Sequence, residues 1–165
     1  MMADKSIKIL ILLGSNIEKE KNLPRAVQRL QSYTTLHIQA VSSTYESAAL
    51  NAAQEKDNTL PTFHNAALLA KTSLEPLAIR TLLRQIEREL GRVRTADKFA
   101  PRPIDLDLVC YGQAILTAEE AGSEIPDPDI LSCAHVAIPL AEIAPDWVHP
   151  QTGQLMQEIA EGMTG

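Results

Sequence analysis

The stretch APRPIDLDLVCYG, residues 100–112, carries two carboxylates, Asp105 and Asp107, inside an apolar run, with Arg102 three residues ahead of the first. In an extended strand Ile104, Leu106, Leu108 and Cys110 point one way, and Asp105, Asp107, Val109 and Tyr111 point the other. Two carboxylates on one face, about 6 to 7 Å apart, repel each other unless a cation lies between or beside them. A hard divalent cation such as Mg²⁺ resolves the conflict. It selects carboxylate oxygens and completes its shell with waters and substrate phosphates, so one or two aspartates suffice where a nucleotide brings the rest. The competing reading is an amphipathic strand with a solvated acidic face.

Residues 84–102 hold Arg84, Arg88, Arg92, Arg94, Lys98 and Arg102, six of the chain's fifteen basic residues, and lead straight into the acidic pair. An anion carrying its own metal would satisfy both clusters, and a nucleoside triphosphate is the commonest such molecule. Arg84 and Arg88 read equally well as a solvated helix face partnered by Glu87 and Glu89. Arg92 and Arg102 do not, because they lie past the helix stop and just before the strand. There is no Gly-x-x-x-x-Gly-Lys-Ser/Thr loop, no Gly-x-Gly-x-x-Gly and no His-Glu-x-x-His, so any bound phosphates depend on arginines and metal.

The net charge of −6 argues against a nucleic-acid surface. All fifteen Lys and Arg precede residue 103, while residues 103–165 hold eleven acids and no base. The apolar run near the N-terminus spans only about seven residues, which reads as a buried strand rather than a signal peptide. No segment approaches the roughly 20 apolar residues of a membrane span, and a cytoplasmic protein is expected. Cys110 and Cys133 are too few for a disulfide framework and lack zinc spacing, so both read as reduced thiols.

The elements that must position these groups follow from periodicity in a single domain, residues 1–165. Residues 7–13 read as a central strand ending at the turn signal Gly14-Ser15-Asn16. A helix opens at Asn22 and Pro24, with Leu23, Ala26, Val27 and Leu30 on one face. Residues 36–45 alternate as a second strand, and residues 46–62 form a long loop. Residues 63–71 give a third strand. Thr72 to Glu75 match a capping box for a helix with Pro76 in its first turn, an apolar stripe at Leu82, Leu83, Ile86 and Leu90, and a stop at Gly91. With the strand at 104–111, the order suits a ferredoxin-like α+β sandwich, an antiparallel sheet with two main helices on one face and a C-terminal extension. Short helices are expected near residues 140–143 and 155–160.

Gly14-Ser15-Asn16, FHNAAL at 63–68, ERELGRVR at 87–94, PRPIDLDLVCYG at 101–112 and the later IPLAEIAPDWVHP together resemble the 6-hydroxymethyl-7,8-dihydropterin pyrophosphokinase family of folate biosynthesis. The resemblance runs over nearly the whole chain. It implies transfer of the β,γ-pyrophosphoryl unit of ATP to the hydroxymethyl oxygen of the pterin, with release of AMP. By the same resemblance Asp105 and Asp107 hold two Mg²⁺ ions and Arg92 and Arg102 clamp phosphates. Glu87 lies at the nucleotide site, and Lys98 sits on a closing loop. For the pterin, the resemblance implies Asn65 pairing with the ring edge, Phe63 enclosing the ring, the Ser47 to Leu50 backbone lining the pocket, and Gly14 and His135 beside it.

Departures from the pattern fall mainly on the nucleotide side. Phe99-Ala100 stands where a tryptophan is usual, Asp127 where a histidine is common, Cys133 for an arginine, and His135 for a stacking aromatic. Two other functions compete: a pterin- or nucleotide-binding paralogue without transfer activity, and a metal-dependent phosphohydrolase. The second lacks a histidine base adjoining the acid pair.

Overall fold

The Ile- and Leu-rich segment that opens the chain becomes the inner strand of a sheet because both of its faces are covered. The computed structural model describes residues 5–49, 53, 55–92 and 103–164. In it β1 (Ile7–Ser15) pairs antiparallel with both β4 (Phe63–Thr72) and β5 (Asp105–Tyr111). β2 (Leu36–Val41) and β3 (Tyr45–Ser47) both lie along the other edge of β4, giving the order β2–β4–β1–β5. Two helices, α1 (Lys19–Gln31) and α2 (Pro76–Glu89), cover one face. Ile9, Ile11 and Leu13 meet Leu23, Ala26 and Leu30 of α1 and Ile79, Leu83 and Ile86 of α2 in one cluster. This is the ferredoxin-like sandwich expected from the element order.

The C-terminal extension forms a third layer. After α3 (Ala118–Ala121) and a 3-10 turn at Pro128–Leu131 come α4 (Ala134–Ile143) and α5 (Met156–Thr164). Their residues Val136, Ala137, Leu140, Met156 and Ile159 pack on Leu10, Ala67, Val109 and Cys110, the sheet face opposite α1 and α2. No helix among the described residues is long and apolar enough to cross a membrane.

Several local expectations change. The second strand is broken: β2 stops at Val41 and β3 begins at Tyr45, and Glu46 and Ser47 pair with His64 and Phe63 instead of opening the long loop. The break is held by hydrogen bonds, since the Ser42 hydroxyl accepts from Ala67 N–H at 2.8 Å and the α4 carboxylate of Glu142 accepts from Ser43 N–H and the Tyr45 hydroxyl. α1 starts at Lys19, before Pro24, which sits on its exposed side. The capping box at Thr72 does not form. Glu75 is the N-cap residue of α2, and Thr72 Oγ1 instead donates to Thr35 O at 2.7 Å and accepts from Leu74 N–H. Both C-terminal helices are longer than their apolar spacing suggested.

A slip in β5 overturns part of the simple alternation. Ile11 pairs with Leu108 but Leu10 pairs with Cys110, so Val109 is the extra residue of a bulge. Ile104, Leu106 and Leu108 stay on the α1/α2 face as expected, whereas Cys110 joins Val109 on the other face and Tyr111 packs with the helices. The two aspartates precede the slip and keep their common face.

Candidate active site

Directly opposed residues of paired strands point to the same face, so the register draws a row across the sheet: Tyr45, Asn65, Gly14 and Asp105. Asp107 lies one row further in, opposite Leu12, which faces the C-terminal layer. Asn65 and Asp105 flank Gly14, two strand spacings or about 10 Å apart. Gly14 leaves the row open. A Cβ built there would lie 3.5 Å from Asn65 Oδ1 and 3.9 Å from Phe63 Cδ1, so glycine creates a recess bordered by an amide oxygen and an aromatic ring. Asn65 is buried, and its Nδ2 donates to Ser47 Oγ at 2.8 Å and Tyr45 O at 3.3 Å. With both amide hydrogens used within β3, the side chain presents its oxygen to the recess. Ser15, which the sequence offered only as part of a turn, is fully buried, and its hydroxyl donates to Pro103 O at 2.6 Å. That bond ties the end of β1 to the entry of β5.

Among the described residues no strand pairs with the outer edge of β5, and α2 supplies hydrogen-bond partners there from side chains. Glu87, 1% exposed, accepts the Leu106 N–H through Oε2 at 2.8 Å. Arg84 Nη1 donates to the same carboxylate oxygen at 2.8 Å and to Leu106 O at 3.0 Å. Arg92 Nη1 donates to Ile104 O at 3.1 Å and to Asp105 Oδ1 at 2.6 Å, and lies 3.6 Å from Glu87 Oε2. Arg84 Nη2 approaches Asp107 Oδ1 at 3.7 Å. Glu87 therefore occupies the centre of the expected site as a brace, holding two guanidinia that each face one aspartate.

Of the two readings open for Arg84, the structure supports elements of both: it pairs with Glu87 as a helix neighbour, yet its side chain is only 19% exposed and reaches into the acid cluster. The spacing signal was present: Arg84 lies three residues before Glu87, on the flank of α2 that turns to β5. Arg88 is exposed, as expected.

Among the described residues, the three carboxylates Glu87, Asp105 and Asp107 meet two guanidinia, Arg84 and Arg92. Burial, first, and then the neighbouring Asp105 push the Asp107 carboxyl up to about 7, against the opposing pull of Arg84, with Glu87 and Asp127 adding to the rise. Asp127, in the position where a histidine is common, comes near enough for its charge to act on Asp107. Its N–H donates to Val109 O at 2.9 Å, and its carboxylate caps the 3-10 turn by accepting from Asp129 N–H at 2.8 Å. Cys133 is the N-cap residue of α4, and His135 is exposed in the first turn of that helix. Leu50, Lys98, Arg102 and the Phe99-Ala100 pair lie outside the described residues.

The site thus sets a pair of acids at one end of a sheet face and a fixed amide about 10 Å away. The sequence model described as 7,8-dihydro-6-hydroxymethylpterin-pyrophosphokinase matches residues 10–145. The 2-amino-4-hydroxy-6-hydroxymethyldihydropteridine pyrophosphokinase of Synechocystis is 36% identical over 150 residues, covering 90% of this chain and 72% of its own. That of Haemophilus influenzae is 33% identical over 156 residues, covering 94% and 92%. The folic acid synthesis protein fol1 of Pneumocystis carinii is 39% identical over 146 residues, 88% of this chain but 18% of that protein. The crystal structure of Plasmodium falciparum HPPK-DHPS aligns with 99% of this chain and 43% of its own, at a TM-score of 0.70 and 12% identity, a likeness of fold. The chain belongs to the 7,8-dihydro-6-hydroxymethylpterin-pyrophosphokinase family.

Proposed function

We propose that this chain carries out the reaction of its family, transfer of a pyrophosphoryl group from ATP to hydroxymethyldihydropterin in folate synthesis, with the metal-bound triphosphate on the β5 acids and the pterin in the Gly14 recess. The observation that carries the reading is the register row, which sets the amide of Asn65 and the carboxylate of Asp105 on one face on either side of a residue without a side chain. In the reaction a bond forms between the hydroxymethyl oxygen and the β-phosphorus. The bond from that phosphorus to the oxygen bridging to the α-phosphorus breaks, AMP leaves with that oxygen and its electron pair, and the hydroxyl proton passes to solvent.

The donor set fits Mg²⁺. Its ligands would be hard carboxylate oxygens, two on one strand face, as suits a cation that keeps waters and takes phosphate oxygens. Asp105 and Asp107 would hold two such ions, which when bound neutralise the triphosphate and align it for in-line attack. The protein's own groups do the rest. Asn65 Oδ1 accepts from a ring N–H, with Ser47 and Tyr45 fixing its direction. Phe63 borders the ring. Glu87 and Arg92 keep Asp105 from turning away. By the family resemblance Arg102 and Lys98 would supply further phosphate contacts. With no Lys or Arg after residue 102, any lysine or arginine at the phosphates comes from the first 102 residues.

Incubation with ATP, Mg²⁺ and reduced hydroxymethylpterin should release AMP and form the pterin pyrophosphate in equal amounts. AMP or phosphate released without pterin would mark a hydrolase, and binding without turnover a non-catalytic paralogue.

A further inference from the structure

We infer that Arg84 is an exchangeable counterion for Asp107, a positioning residue that holds the metal-binding carboxylate in the metal-free enzyme and gives it up when the metal arrives. The inference rests on the reading of Asp105 and Asp107 as the metal-holding pair.

The two ends of the guanidinium are held differently. Nη1 is fixed by two good hydrogen bonds, to Glu87 Oε2 at 2.8 Å and Leu106 O at 3.0 Å. Nη2 stands 3.7 Å from Asp107 Oδ1, beyond hydrogen-bond range, so charge alone links them. Among the described residues Nη2 has no hydrogen bond. Arg92 differs, because it binds Asp105 Oδ1 at 2.6 Å. One aspartate is therefore gripped and the other only attended. Asp107 is also the more open of the pair, 39% exposed against 22% for Asp105. A cation approaching from solvent meets Asp107 first, and among the described residues the protein charge paired with it is the loose edge of Arg84. The fixed edge stays on the β5 backbone, so the exchange costs no hydrogen bond.

The test is a double-mutant cycle of Arg84→Gln and Asp107→Asn, read without activity. Glutamine can still donate to Leu106 O or Glu87, so the β5 edge keeps a partner. Mn²⁺ binding to the nucleotide-free protein is counted by electron paramagnetic resonance, and urea midpoints are measured for the four proteins in EDTA and in saturating Mn²⁺. Arg84→Gln should bind Mn²⁺ about fivefold more tightly than the parent, the size expected for a partly exposed ion pair removed as a competitor. Arg84 and Asp107 should be coupled in EDTA and additive in Mn²⁺. Coupling unchanged by Mn²⁺, absence of coupling in EDTA, unchanged Mn²⁺ affinity in Arg84→Gln, or no Mn²⁺ uptake by the parent would each overturn the exchange. If Mn²⁺ stabilises the parent and Asp107→Asn alike, the metal assignment itself fails. If it stabilises the parent alone and the coupling persists, only the role of Arg84 falls.

Discussion

Asp107→Asn should make the metal-free protein more stable at pH 8 while removing its response to magnesium. The folded state raises the Asp107 carboxyl from 3.8 to about 7, through burial first and the charge of Asp105 second. A carboxyl held above its unfolded value binds its proton more tightly in the native state. Its contribution therefore favours folding at low pH, is lost as pH rises from about 4 to about 7, and is level above that. The full displacement corresponds to about 4 kcal/mol at 1.36 kcal/mol per pH unit. With 39% of the side chain exposed, screening reduces this to about 1 to 2 kcal/mol. Asparagine keeps the shape and drops the charge. The lost attraction to Arg84 at 3.7 Å costs a fraction of 1 kcal/mol, so the variant keeps a net gain. In EDTA at pH 8 its urea unfolding free energy should exceed that of the parent by about 1 kcal/mol, and the two should converge toward pH 4. Saturating Mg²⁺ should restore the parent and leave the variant unmoved. A variant no more stable than the parent at pH 8 in EDTA would refute the argument from burial and like charge at Asp107.

Other changes probe the rest of the site. Asp107→Ala should lower turnover by at least about 100-fold, checked by AMP release, with the fold intact by circular dichroism. Glu87→Ala strands the Leu106 N–H and takes one carboxylate partner from Arg84 and Arg92, and should cost about 3 kcal/mol in chemical denaturation, with Glu87→Gln milder because its oxygen still accepts that N–H. Gly14→Ala meets only ordinary contacts at 3.5 and 3.9 Å, so stability should change by less than about 1 kcal/mol. Its methyl would occupy the recess, and calorimetry should find pterin binding weakened by about 10-fold or more.

The order of strands and helices was legible because β1, α1, α2 and β5 each have a strong period and a single buried stripe. The acid pair was legible for the same reason, as two charges breaking an apolar alternation. What the sequence hid were events without a period. The slip at Val109 moves Cys110 and Tyr111 across the sheet, and no residue there announces a bulge. Thr72 has the right neighbours for a cap, but β4 runs through it and α2 is capped three residues later at Glu75, so its hydroxyl finds Thr35 O instead. Arg84 looked like half of a helix-surface ion pair with Glu87. Only the placement of α2 against the outer edge of β5 makes that pair the hinge of the site. Ser15 and Ser47 are small and common, and their roles come from partners far away in sequence, Pro103 and Asn65.

The transfer itself can be followed with ATP labelled at the γ-phosphorus. The label should appear in the pterin product, accompanied by unlabelled AMP, only when Mg²⁺ is present and only when Asp105 and Asp107 are both intact. Label in inorganic phosphate with ADP left behind, or label on the pterin from the doubly substituted protein, would contradict the account.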